Sequence, residues 1–500
     1  MDRPLALISV YDKTNIIEFC TALSTRFKFV ATGNTTKHLR EGEVEVQEVS
    51  SLTNFPEILD GQVKTLHPTL IGGILGRTSQ NNELSKFNII PIGMVVVNLY
   101  PFSHVTSRSH EVGEALDNID IGGVTLLRAG AKNYQEVIPV CSVDDYPWIS
   151  KAIINGSMDL ELRKSLARKA FGYTAGYDVT ISNYFNRMAD DPYPDPLIMS
   201  FENPQELRYG ENWHQNARYY LLPGEKPFFV QLHGRKVSLN NLVDFYAVMG
   251  LFSEHSDPSC AIIKHTSPCG FASAPNIETA FDDAFATDNL SAFGSAMGFN
   301  RPITVTLAEK LNRMFVDAII APDFDSKAFG ILAQKERIVL CKFNDYKIPS
   351  TSIRFIPNGV LVQPTDTRIL TAEDLKVVSR VQPTTQEFQD LNFAWKVGKY
   401  VKSNSAVISI GTKTVGVGMG QTSRIGAVDL AIRRAGTRAK GSVLASDAFF
   451  PFRDCVDAAA EAGITAIIAP GGSIRDTESI AAADEHEIAL VWSGVRAFLH

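Results

Sequence analysis

Apolar segments of five to nine residues alternate with amphipathic segments through the first part of the chain. Strand-like runs are LALISVY (5–11), FKFVATG (27–33) and IGMVVVNLY (92–100). Between them, NIIEFCTALSTRF (15–27) and VTLLRAGAKNY (124–134) repeat apolar residues every three to four positions, as helices do. Alternating strands and helices predict a mostly parallel sheet covered by helices, and therefore an α/β fold.

This pattern ends with a helical run near residues 161–186. The stretch ADDPYPDPLIMS (189–200) contains three prolines and cannot continue a helix, so we expect a linker there. Beyond it, AIIAP occurs at 318–322 and again at 466–470, and each copy follows another apolar strand, AIIK (261–264) or AVIS (406–409). The matched order predicts a duplicated α/β unit. The more polar stretch at about 335–385 is expected to connect the two copies.

Length and composition limit the classes of protein to consider. A chain of 500 residues is too long for one ordinary core, and 45% apolar with 21% charged residues is typical of a soluble globular protein. No stretch approaches the roughly 18 apolar residues that cross a bilayer. The net charge of −7 offers no general attraction to nucleic acid. Six scattered cysteines without CxxC spacing predict reduced thiols, and the N-terminus reads as a strand, so a cytoplasmic protein is expected.

The segment ATGNTTKHL (31–39) follows a strand and opens a helix. Gly33 permits close approach of the backbone, while Thr32, Thr35 and Thr36 add hydroxyls beside the free N–H groups of the helix start. Such a turn suits a phosphate. The same residues are also ordinary helix caps, and the motif alone leaves both interpretations open.

Two further motifs in the first part carry charged side chains. DGQVKTLHP (60–68) places Lys64, Thr65 and His67 in a loop. NIDIGGVTLLRAGAKN (118–133) puts Asp120 before a Gly-Gly turn and Lys132 on the helix that follows. Each lysine alone could be a solvated surface charge. Together they are expected to meet at the ligand-binding edge of the sheet.

The second part has polar or aromatic interruptions beside its apolar strands: RYGENWHQ (208–215), SNS (403–405), GQTSR (420–424) and DAFFPFRD (447–454). Core packing would explain Phe449, Phe450 and Phe452, at least one of which we expect in the core. Flat apolar walls with a few fixed polar groups are also what nucleotide and pterin rings need.

The segment AIIKHTSPCG (261–270) places Lys264 and His265 side by side at the end of a buried strand. Its Pro-Cys pair invites comparison with the zinc-dependent nucleobase deaminases, which need a PCxxC pair of thiolates. Cys269 is followed by Gly270, Phe271 and Ala272, so the second thiolate is missing, and no catalytic metal is expected.

These motifs, in this order, resemble the family of bifunctional purine-biosynthesis enzymes that join an IMP cyclohydrolase to an AICAR (aminoimidazole carboxamide ribonucleotide) formyltransferase. The resemblance covers essentially the whole chain and rests on VKTLHP, NLYPF, IDIGGVTLLRA, RYGEN, KHTSPCG, SNS, SDAFFPFRD and VRAFLH. It implies the last two steps of IMP synthesis. The formyl group of 10-formyltetrahydrofolate passes to AICAR, and dehydrative ring closure of formyl-AICAR gives IMP.

The resemblance also implies an architecture. A methylglyoxal-synthase-like cyclohydrolase domain would span 1–188, followed by the linker 189–200 and a formyltransferase region at 201–500. That region would hold two cytidine-deaminase-like units, at about 201–370 and 371–500. The family resemblance further implies a homodimer with formyltransferase sites between subunits and leaves open a structural monovalent cation. Neither a nucleic acid nor a membrane is expected as a partner.

Residue roles carried over from the family fall into three sets. In the cyclohydrolase, the proton-transfer residue would be Lys132, and the nucleotide contacts would be Tyr11, Asp12, Lys13, Thr32, Gly33, Asn34, Thr35, Gln62, Val63, Lys64, Thr65, Asn98, Tyr100, Asp120 and Ile121. In the formyltransferase, AICAR contacts would be Arg208, Tyr209, Gly294, Asp317, Asn404, Arg424, Phe449 and Arg496. Folate contacts would be Ile425, Asp454, Ser473 and Ile474.

The adjacent pair Lys264 and His265 then has a chemical reason. The amine of AICAR is conjugated to an electron-poor ring and attacks a formyl carbon poorly, so a base must take its proton, which a neutral His265 can do. The Lys264 cation disfavours protonation of the neighbouring imidazole and can stabilise the oxyanion that develops on the formyl group.

Four positions depart from the family pattern: Tyr11, Asn34, Gln62 and Trp213. The first three belong to the predicted cyclohydrolase site, where Gln62 replaces a usual arginine. Two alternatives therefore remain: a formyltransferase with a weakened cyclohydrolase domain, and a regulatory protein that only senses nucleotides. The pair Lys264 and His265 argues against the second, because simple binding needs no base beside a cation.

Overall fold

The computed structural model describes residues 3–59, 63–108, 110–371 and 373–500. The chain divides into two units, Met1–Glu202 with Leu222–Glu225, and Asn203–Leu221 with Lys226–His500. This division falls close to the predicted linker, while the residue boundaries of the functional domains stay a prediction.

A five-stranded parallel sheet forms the centre of the first unit. Its strands are β1 (Leu5–Val10), β2 (Lys28–Ala31), β3 (Val46–Glu48), β4 (Ile92–Asn98) and β5 (Ile138–Val140), in the order β3-β2-β1-β4-β5. Each neighbouring pair is parallel, as the alternating pattern predicted. Both faces are buried under helices, which explains why these strands are almost uniformly apolar.

Ten helices accompany this sheet in the described part of the unit. They are α1 (Ile16–Leu23), α2 (Gly33–Glu41), α3 (Val49–Thr53), α4 (Pro68–Leu75), α5 (Asn81–Lys86), α6 (Phe102–Thr106), α7 (Val112–Asp117), α8 (Gly122–Lys132), α9 (Tyr146–Ile154) and α10 (Leu160–Met188). Helices α1, α8 and α10 confirm the three helical segments predicted from apolar spacing.

The second unit is built on a mixed sheet of twelve strands. The strands from here to the C-terminus are β6 (Glu202–Glu206), β7 (Arg218–Leu221), β8 (Phe229–His233), β9 (Ser259–Lys264), β10 (Ser267–Ser273), β11 (Ala296–Phe299), β12 (Ala318–Ala321), β13 (Val339–Phe343), β14 (Thr351–Ile356), β15 (Gly359–Pro364), β16 (Lys376–Val377), β17 (Ala406–Ile410), β18 (Lys413–Gly418), β19 (Val443–Ser446), β20 (Ala466–Ala469) and β21 (Ala489–Trp492). The sheet order is β16-β21-β20-β19-β17-β18-β10-β9-β11-β12-β13-β8, while β6-β7 and β14-β15 form separate two-stranded ribbons.

The duplication predicted from AIIAP is confirmed by this topology. Hairpin β9-β10 is followed by the parallel strands β11, β12 and β13, and hairpin β17-β18 is followed by the parallel strands β19, β20 and β21. The two AIIA segments are the corresponding strands β12 and β20. The copies join where β10 pairs antiparallel with β18.

Eight helices cover the two faces of this sheet in the described residues. They are α11 (Leu239–Ser253), α12 (Ile277–Thr287), α13 (Val305–Asn312), α14 (Ser326–Leu332), α15 (Thr385–Gly398), α16 (Arg424–Ala435), α17 (Asp454–Glu461) and α18 (Asp476–Glu485). Helices α11 and α15 share one apolar core on one face. The other six cover the opposite face in two clusters, one for each copy. No helix of the described residues is long and apolar enough to cross a membrane.

One prediction about the second unit was partly wrong. The stretch at about 335–385 was expected only to connect the two copies, but it contributes β13, whose residues Val339, Leu340 and Cys341 are buried in the sheet. The connection proper begins after Phe343 and contains the exposed ribbon β14-β15. A short apolar run inside a polar stretch was overlooked.

Candidate active sites

A cavity of about 400 Å³ opens at the carboxyl ends of β1, β2 and β4 in the first unit. This is the edge at which parallel sheets bind ligands. Residues predicted as nucleotide contacts that line it are Tyr11, Lys13, Thr32, Asn34, Thr35, Lys64, Thr65, Asn98, Tyr100, Asp120 and Ile121. We call this space the first cavity. Asp12, Gly33 and Val63 lie next to lining residues in the chain without lining it, and Gln62 lies outside the described residues.

The N-terminus of α2 forms one wall of the first cavity, where the sequence suggested a phosphate. Thr32 precedes the helix without a side-chain capping bond, so the capping interpretation is not supported. The N–H of Gly33 instead donates to Glu57 Oε1 at 3.1 Å. A carboxylate of the chain thus occupies the position that a helix dipole offers to an anion. Sequence reasoning missed Glu57, because nothing in FPEIL relates it to residue 33.

Asn98, at the end of β4, fixes the loop that follows β1. Its Oδ1 accepts hydrogen bonds from the N–H groups of Tyr11 (2.6 Å) and Asp12 (2.8 Å), and its Nδ2 donates to Asp12 O at 2.8 Å. The Tyr11 ring meets the edge of the Tyr100 ring at 5.8 Å. The amide therefore holds Tyr11 as an aromatic wall of the cavity.

Asp120 is the acidic centre of the first cavity. Burial raises the pKa of its carboxyl. Hydrogen bonds from the N–H groups of Gly123 and Tyr100, together with the Lys64 cation, favour the ionised form and partly offset this rise. The bond from Gly123 N–H to Asp120 Oδ1 is 2.6 Å long. A Cβ on Gly122 would lie 2.4 Å from Thr65 Oγ1, and one on Gly123 would lie 2.6 Å from Asp120 Oδ2. The Gly-Gly turn is therefore required for the loops to approach this closely.

Tyr100 stands beside this carboxyl. Burial, with the negative charges of Asp120 and Glu57, raises the pKa of the Tyr100 phenol. Its hydroxyl is therefore protonated throughout the neutral range and can donate to a ligand.

Lys132 was expected at the same edge, and the structure does not bring it there. It is the exposed last residue of α8, whereas the first cavity lies at the opposite end of that helix, at Gly122. Ten residues of helix separate the two positions, about 15 Å along the axis. The sequence placed Lys132 on the correct helix but could not show which end carries the cavity.

In the second unit, Lys264 and His265 occupy a tight hairpin between β9 and β10. Lys264 pairs with Ser267, and His265 (φ 51°) and Thr266 (φ 67°) form the two-residue turn in the left-handed conformation that such turns require. His265 is exposed at the tip, while Lys264 Nζ donates to Phe293 O at 2.5 Å. A Cβ on Gly294 would lie 4.0 Å from Lys264 Nζ, so these predicted residues are neighbours.

Helix α11 supports this turn through Asp244, which sequence reasoning missed. Asp244 Oδ1 accepts a hydrogen bond of 2.7 Å from the Thr266 N–H. Burial raises the pKa of the Asp244 carboxyl to about 6, while the Thr266 bond and the charges of His265 and Lys264 lower it. A partly buried acid therefore holds the turn that carries the predicted base.

Asp317 lies at the start of β12, beside the same hairpin. It forms an ion pair with Arg235 and accepts a hydrogen bond of 2.8 Å from Asn241 Nδ2 on α11. The predicted contacts Arg208 and Tyr209 stack on each other at 4.4 Å, and Tyr209 O accepts from Leu239 N–H at the start of the same helix. We call Arg208, Tyr209, Lys264, His265, Gly294 and Asp317, together with Asp244, the hairpin cluster.

A second cavity, of about 380 Å³, opens at the N-terminus of α16. The predicted contacts Asn404, Arg424, Phe449, Ile425 and Asp454 line it. Arg424 Nη2 donates to Asn404 Oδ1 at 2.6 Å, and Arg424 forms a buried ion pair with Asp447. The Asp447 carboxylate also accepts from Ser405 N–H at 3.0 Å and from the hydroxyl of Ser403.

The three phenylalanines of DAFFPFRD divide between core and cavity. Phe450 is fully buried in the core under α16 and α17, as was expected of at least one ring. Phe449 and Phe452 are 41% and 48% exposed and line the second cavity. They provide the flat apolar wall that a ring system needs.

The remaining predicted residues lie around the second cavity. The Arg496 guanidinium stacks at 4.3 Å on Phe498, which lines the cavity. Ser473 and Ile474 precede Arg475, whose guanidinium stacks at 4.8 Å on Phe452. The structure therefore brings the C-terminal residues predicted to bind AICAR and those predicted to bind folate together around the second cavity.

The hairpin cluster and the second cavity lie at the same edge of the twelve-stranded sheet but do not share a network. At about 4.8 Å per strand, Lys264 at the end of β9 and Asn404 before β17 are roughly 14 Å apart along the sheet order β9-β10-β18-β17. The cluster rests on α11 and the cavity on α16, which cover opposite faces. None of the hydrogen bonds and ion pairs described above joins a residue of the hairpin cluster to a residue of the second cavity.

The structure offers few side chains that could bind a metal ion or react as a thiolate. Within residues 3–59, 63–108, 110–371 and 373–500, no group of three or more His, Cys, Asp or Glu side chains could hold a metal ion. All six cysteines are free and buried. Burial raises the pKa of Cys269, in the KHTSPCG segment, to about 12, so this thiol is not a ready metal ligand.

Comparison with known proteins shows the family of the chain. The family model "AICARFT/IMPCHase bienzyme" matches residues 130–434, and the model "MGS-like domain" matches residues 15–125. The chain is similar to three proteins named "Bifunctional purine biosynthesis protein PurH", and each match covers 99% of both chains. Identity is 43% with that of Oceanobacillus iheyensis, 45% with that of Caldicellulosiruptor saccharolyticus and 44% with that of Acetivibrio thermocellus. The chain belongs to the AICARFT/IMPCHase bienzyme family.

Proposed function

We propose that this chain catalyses the last two steps of IMP synthesis, with ring closure in the first cavity and formyl transfer at the hairpin cluster and the second cavity. It is a formyltransferase and a cyclohydrolase in one chain, because it belongs to the AICARFT/IMPCHase bienzyme family and matches bifunctional purine biosynthesis proteins over their full length. The single observation that carries the residue assignment is the first cavity, lined by eleven of the predicted nucleotide contacts.

Ring closure requires the carboxamide nitrogen of formyl-AICAR to attack its formyl carbon, after which water leaves. The proposal assigns the proton transfers to Asp120 and Tyr100, because a carboxyl whose pKa is raised by burial and a protonated phenol lie at one wall of the cavity. Lys64 supplies positive charge beside Asp120. Most of the rate gain comes from holding the substrate folded, so no cofactor is needed for this step. Lys132 is given no role within the first cavity of its own chain.

Formyl transfer is assigned to the hairpin. His265, exposed at its tip, takes the proton of the AICAR amine, and Lys264, whose ammonium lies beside Gly294, stabilises the oxyanion on the formyl carbon. Asp317, Arg208 and Tyr209 bind the ribonucleotide from the same side. The donor we propose is 10-formyltetrahydrofolate, with its pterin against Phe449 and Phe452 and its polar groups near Asp454 and Ser473.

We also propose a homodimer in the cytoplasm. Asn404, Arg424 and Arg496 are predicted to bind the same AICAR molecule as the hairpin cluster. Asn404, however, lies roughly 14 Å along the sheet from Lys264, and Arg424 belongs to α16, which covers the face opposite to α11. A second copy of the chain can bring one set against the other across a two-fold axis. No catalytic metal is part of the proposal, and a structural monovalent cation stays a prediction without assigned ligands.

A coupled assay tests the whole proposal. The full chain, given AICAR and 10-formyltetrahydrofolate, should produce IMP, and given formyl-AICAR alone it should produce IMP without folate. Light scattering should show dimers at the concentrations at which formyl transfer is active. Monomers with full formyl transfer would overturn the shared-site assignment, and activity lost with chelator and restored by zinc would overturn the metal-free one.

The second candidate is a formyltransferase whose cyclohydrolase domain is weakened. Two observations favour it: Glu57 occupies the N-terminus of α2, and Tyr11 and Asn34, which depart from the family pattern, line the first cavity. Formyl-AICAR that accumulates from AICAR without conversion to IMP, by a folded protein, would select this alternative.

A further inference from the structure

Helix α10 carries two tyrosines, Tyr173 and Tyr177, whose hydroxyls reach the loops around the first cavity. Residues four positions apart lie on one face of a helix. The Tyr173 hydroxyl accepts a hydrogen bond of 3.1 Å from the Leu99 N–H. The Tyr177 hydroxyl accepts 2.9 Å from the Asp120 N–H and donates 2.9 Å to Asn118 O.

The backbone groups held in this way belong to the segments that shape the cavity. Leu99 lies between Asn98, whose amide holds the Tyr11 loop, and Tyr100. Asp120 is the acidic centre, and its carboxyl is held in turn by the N–H of Gly123. One helix face thus positions the two loops that follow β4 and α7. Neither tyrosine lines the cavity itself.

The chemistry of a phenol suits this task. The Tyr177 hydroxyl both donates and accepts, which requires the neutral form, and burial raises the pKa of Tyr177 to about 12. Burial also raises the pKa of Tyr173. Both groups are therefore neutral at any pH at which the enzyme works. A phenylalanine keeps the ring and its packing but leaves the N–H of Asp120 or Leu99 without its partner.

We propose that Tyr177 and Tyr173 are positioning residues for ring closure, which hold the backbones of Asp120 and of the Asn98–Tyr100 segment at the geometry the reaction needs. The inference rests on the proposed function of the first cavity. Neither residue touches the substrate, so the effect is expected on the rate of the bound complex and much less on binding. A shift of about 1 Å in a catalytic group can cost about a hundredfold in rate.

The test uses the full chain with formyl-AICAR as substrate. Tyr177→Phe should lower kcat by roughly 10–100-fold and change KM by less than about threefold, and Tyr173→Phe should act in the same direction. The pH dependence of kcat for Tyr177→Phe should also shift. Burial raises the Asp120 pKa, and the hydrogen bonds that oppose this shift change when its backbone moves. Formyl transfer by the second unit, measured on the same samples, reports whether the chain is folded.

Tyr184→Phe is the matched control, since this tyrosine lies on the same helix and the one hydrogen bond of its hydroxyl among the described residues is with the His110 ring, at 3.2 Å. It should keep the kcat of the unaltered chain when all variants are assayed well below their unfolding temperatures. Unaltered kcat in both Tyr177→Phe and Tyr173→Phe would overturn the inference and leave the proposed function standing. An equal loss in Tyr184→Phe would also overturn it, because the effect would then be general to the helix. If the unaltered chain made no IMP from formyl-AICAR, both the inference about the two tyrosines and the proposed function of the first cavity would be overturned.

Discussion

Asp244 Oδ1 accepts a hydrogen bond of 2.7 Å from the backbone N–H of Thr266, on the turn that carries His265. His265 and Thr266 both have positive φ angles, which residues with a side chain adopt only when the surroundings hold them. A partly buried carboxylate that accepts from the turn provides such a hold. The position of the proposed base therefore depends on a residue of α11, some twenty positions earlier in the chain.

Asp244→Asn should change how stability depends on pH. Burial raises the pKa of the Asp244 carboxyl from 3.8 to about 6, so the folded protein binds this proton more tightly than the unfolded chain does. The free energy of unfolding of the natural protein should therefore fall by about 2–3 kcal/mol, through this group, as the pH rises from about 4 to about 6. Above that pH the contribution of Asp244 should stay level. Asparagine keeps an acceptor for Thr266 and does not titrate. Urea unfolding of both proteins across this pH range should show that the free energy of unfolding of the variant rises relative to that of the natural protein as the pH increases. If the two free energies changed in parallel with pH, the prediction would be wrong.

His265→Ala and Lys264→Ala should separate the two activities. Loss of a general base costs roughly 10²–10⁴-fold in rate, and loss of one oxyanion-stabilising group costs roughly 10²–10³-fold. Formyl transfer should fall accordingly, and the double variant should lose less than the product, because both residues act on one transition state. Conversion of formyl-AICAR to IMP should stay near normal, since both residues lie in the second unit. His214→Ala, another exposed histidine of that unit, is the control, and a loss there instead would make His214 the base.

Glu57→Gln should strengthen nucleotide binding in the first cavity. Glu57 accepts from Gly33 N–H at the N-terminus of α2, where a phosphate would be held. A charge at a helix end is worth about 0.3–1 kcal/mol, so removing this competing carboxylate should lower KM for formyl-AICAR by roughly 2–5-fold. Glu41→Gln, at the other end of the same helix, should have no such effect. The gain should disappear with the nucleoside that lacks the phosphate, and a gain that persists there would mean that Glu57 does not compete with phosphate.

The fold could be predicted well from the sequence, because buried segments consist almost entirely of apolar residues and can be recognised by them. Strands covered on both faces are nearly all apolar, so β1, β4, β9 and β17 could be recognised from composition alone. The duplication was visible in AIIAP because corresponding strands meet the same packing demands. The strand β13 was missed, since three buried residues inside a polar stretch are too short a pattern to separate from a turn.

Residues that act through tertiary contacts left no such record. Glu57, Asp244, Tyr173 and Tyr177 are each far in sequence from the groups they hold, and each could equally be a surface charge or a core ring. The prediction that Lys132 lies at the cavity was not met by the structure, for a related reason. The pattern placed it on α8 but did not determine that the cavity lies at the other end of that helix.

Asp447→Ala should destabilise the second unit strongly. Asp447 is fully buried and Arg424 is 5% exposed, and the carboxylate also holds Ser403 and Ser405. Removing one partner of a buried ion pair leaves a charge without compensation and costs about 3–5 kcal/mol. Urea unfolding followed on the second unit should show a loss of this size. Glu206→Ala, which breaks the exposed pair with Lys236, is the control and should cost far less, because an ion pair in contact with water contributes little to stability.

The double substitution Arg424→Met and Asp447→Leu separates charge from packing at this pair. Both charges are removed while the volume is largely kept, so the loss should be smaller than that of Asp447→Ala alone, because no isolated charge remains buried. Formyl transfer should nevertheless fall in both variants, since Arg424 orients Asn404 at the second cavity through a bond of 2.6 Å. A double variant less stable than Asp447→Ala would show that the ion pair contributes net stability, and normal formyl transfer in it would remove Arg424 from the AICAR site.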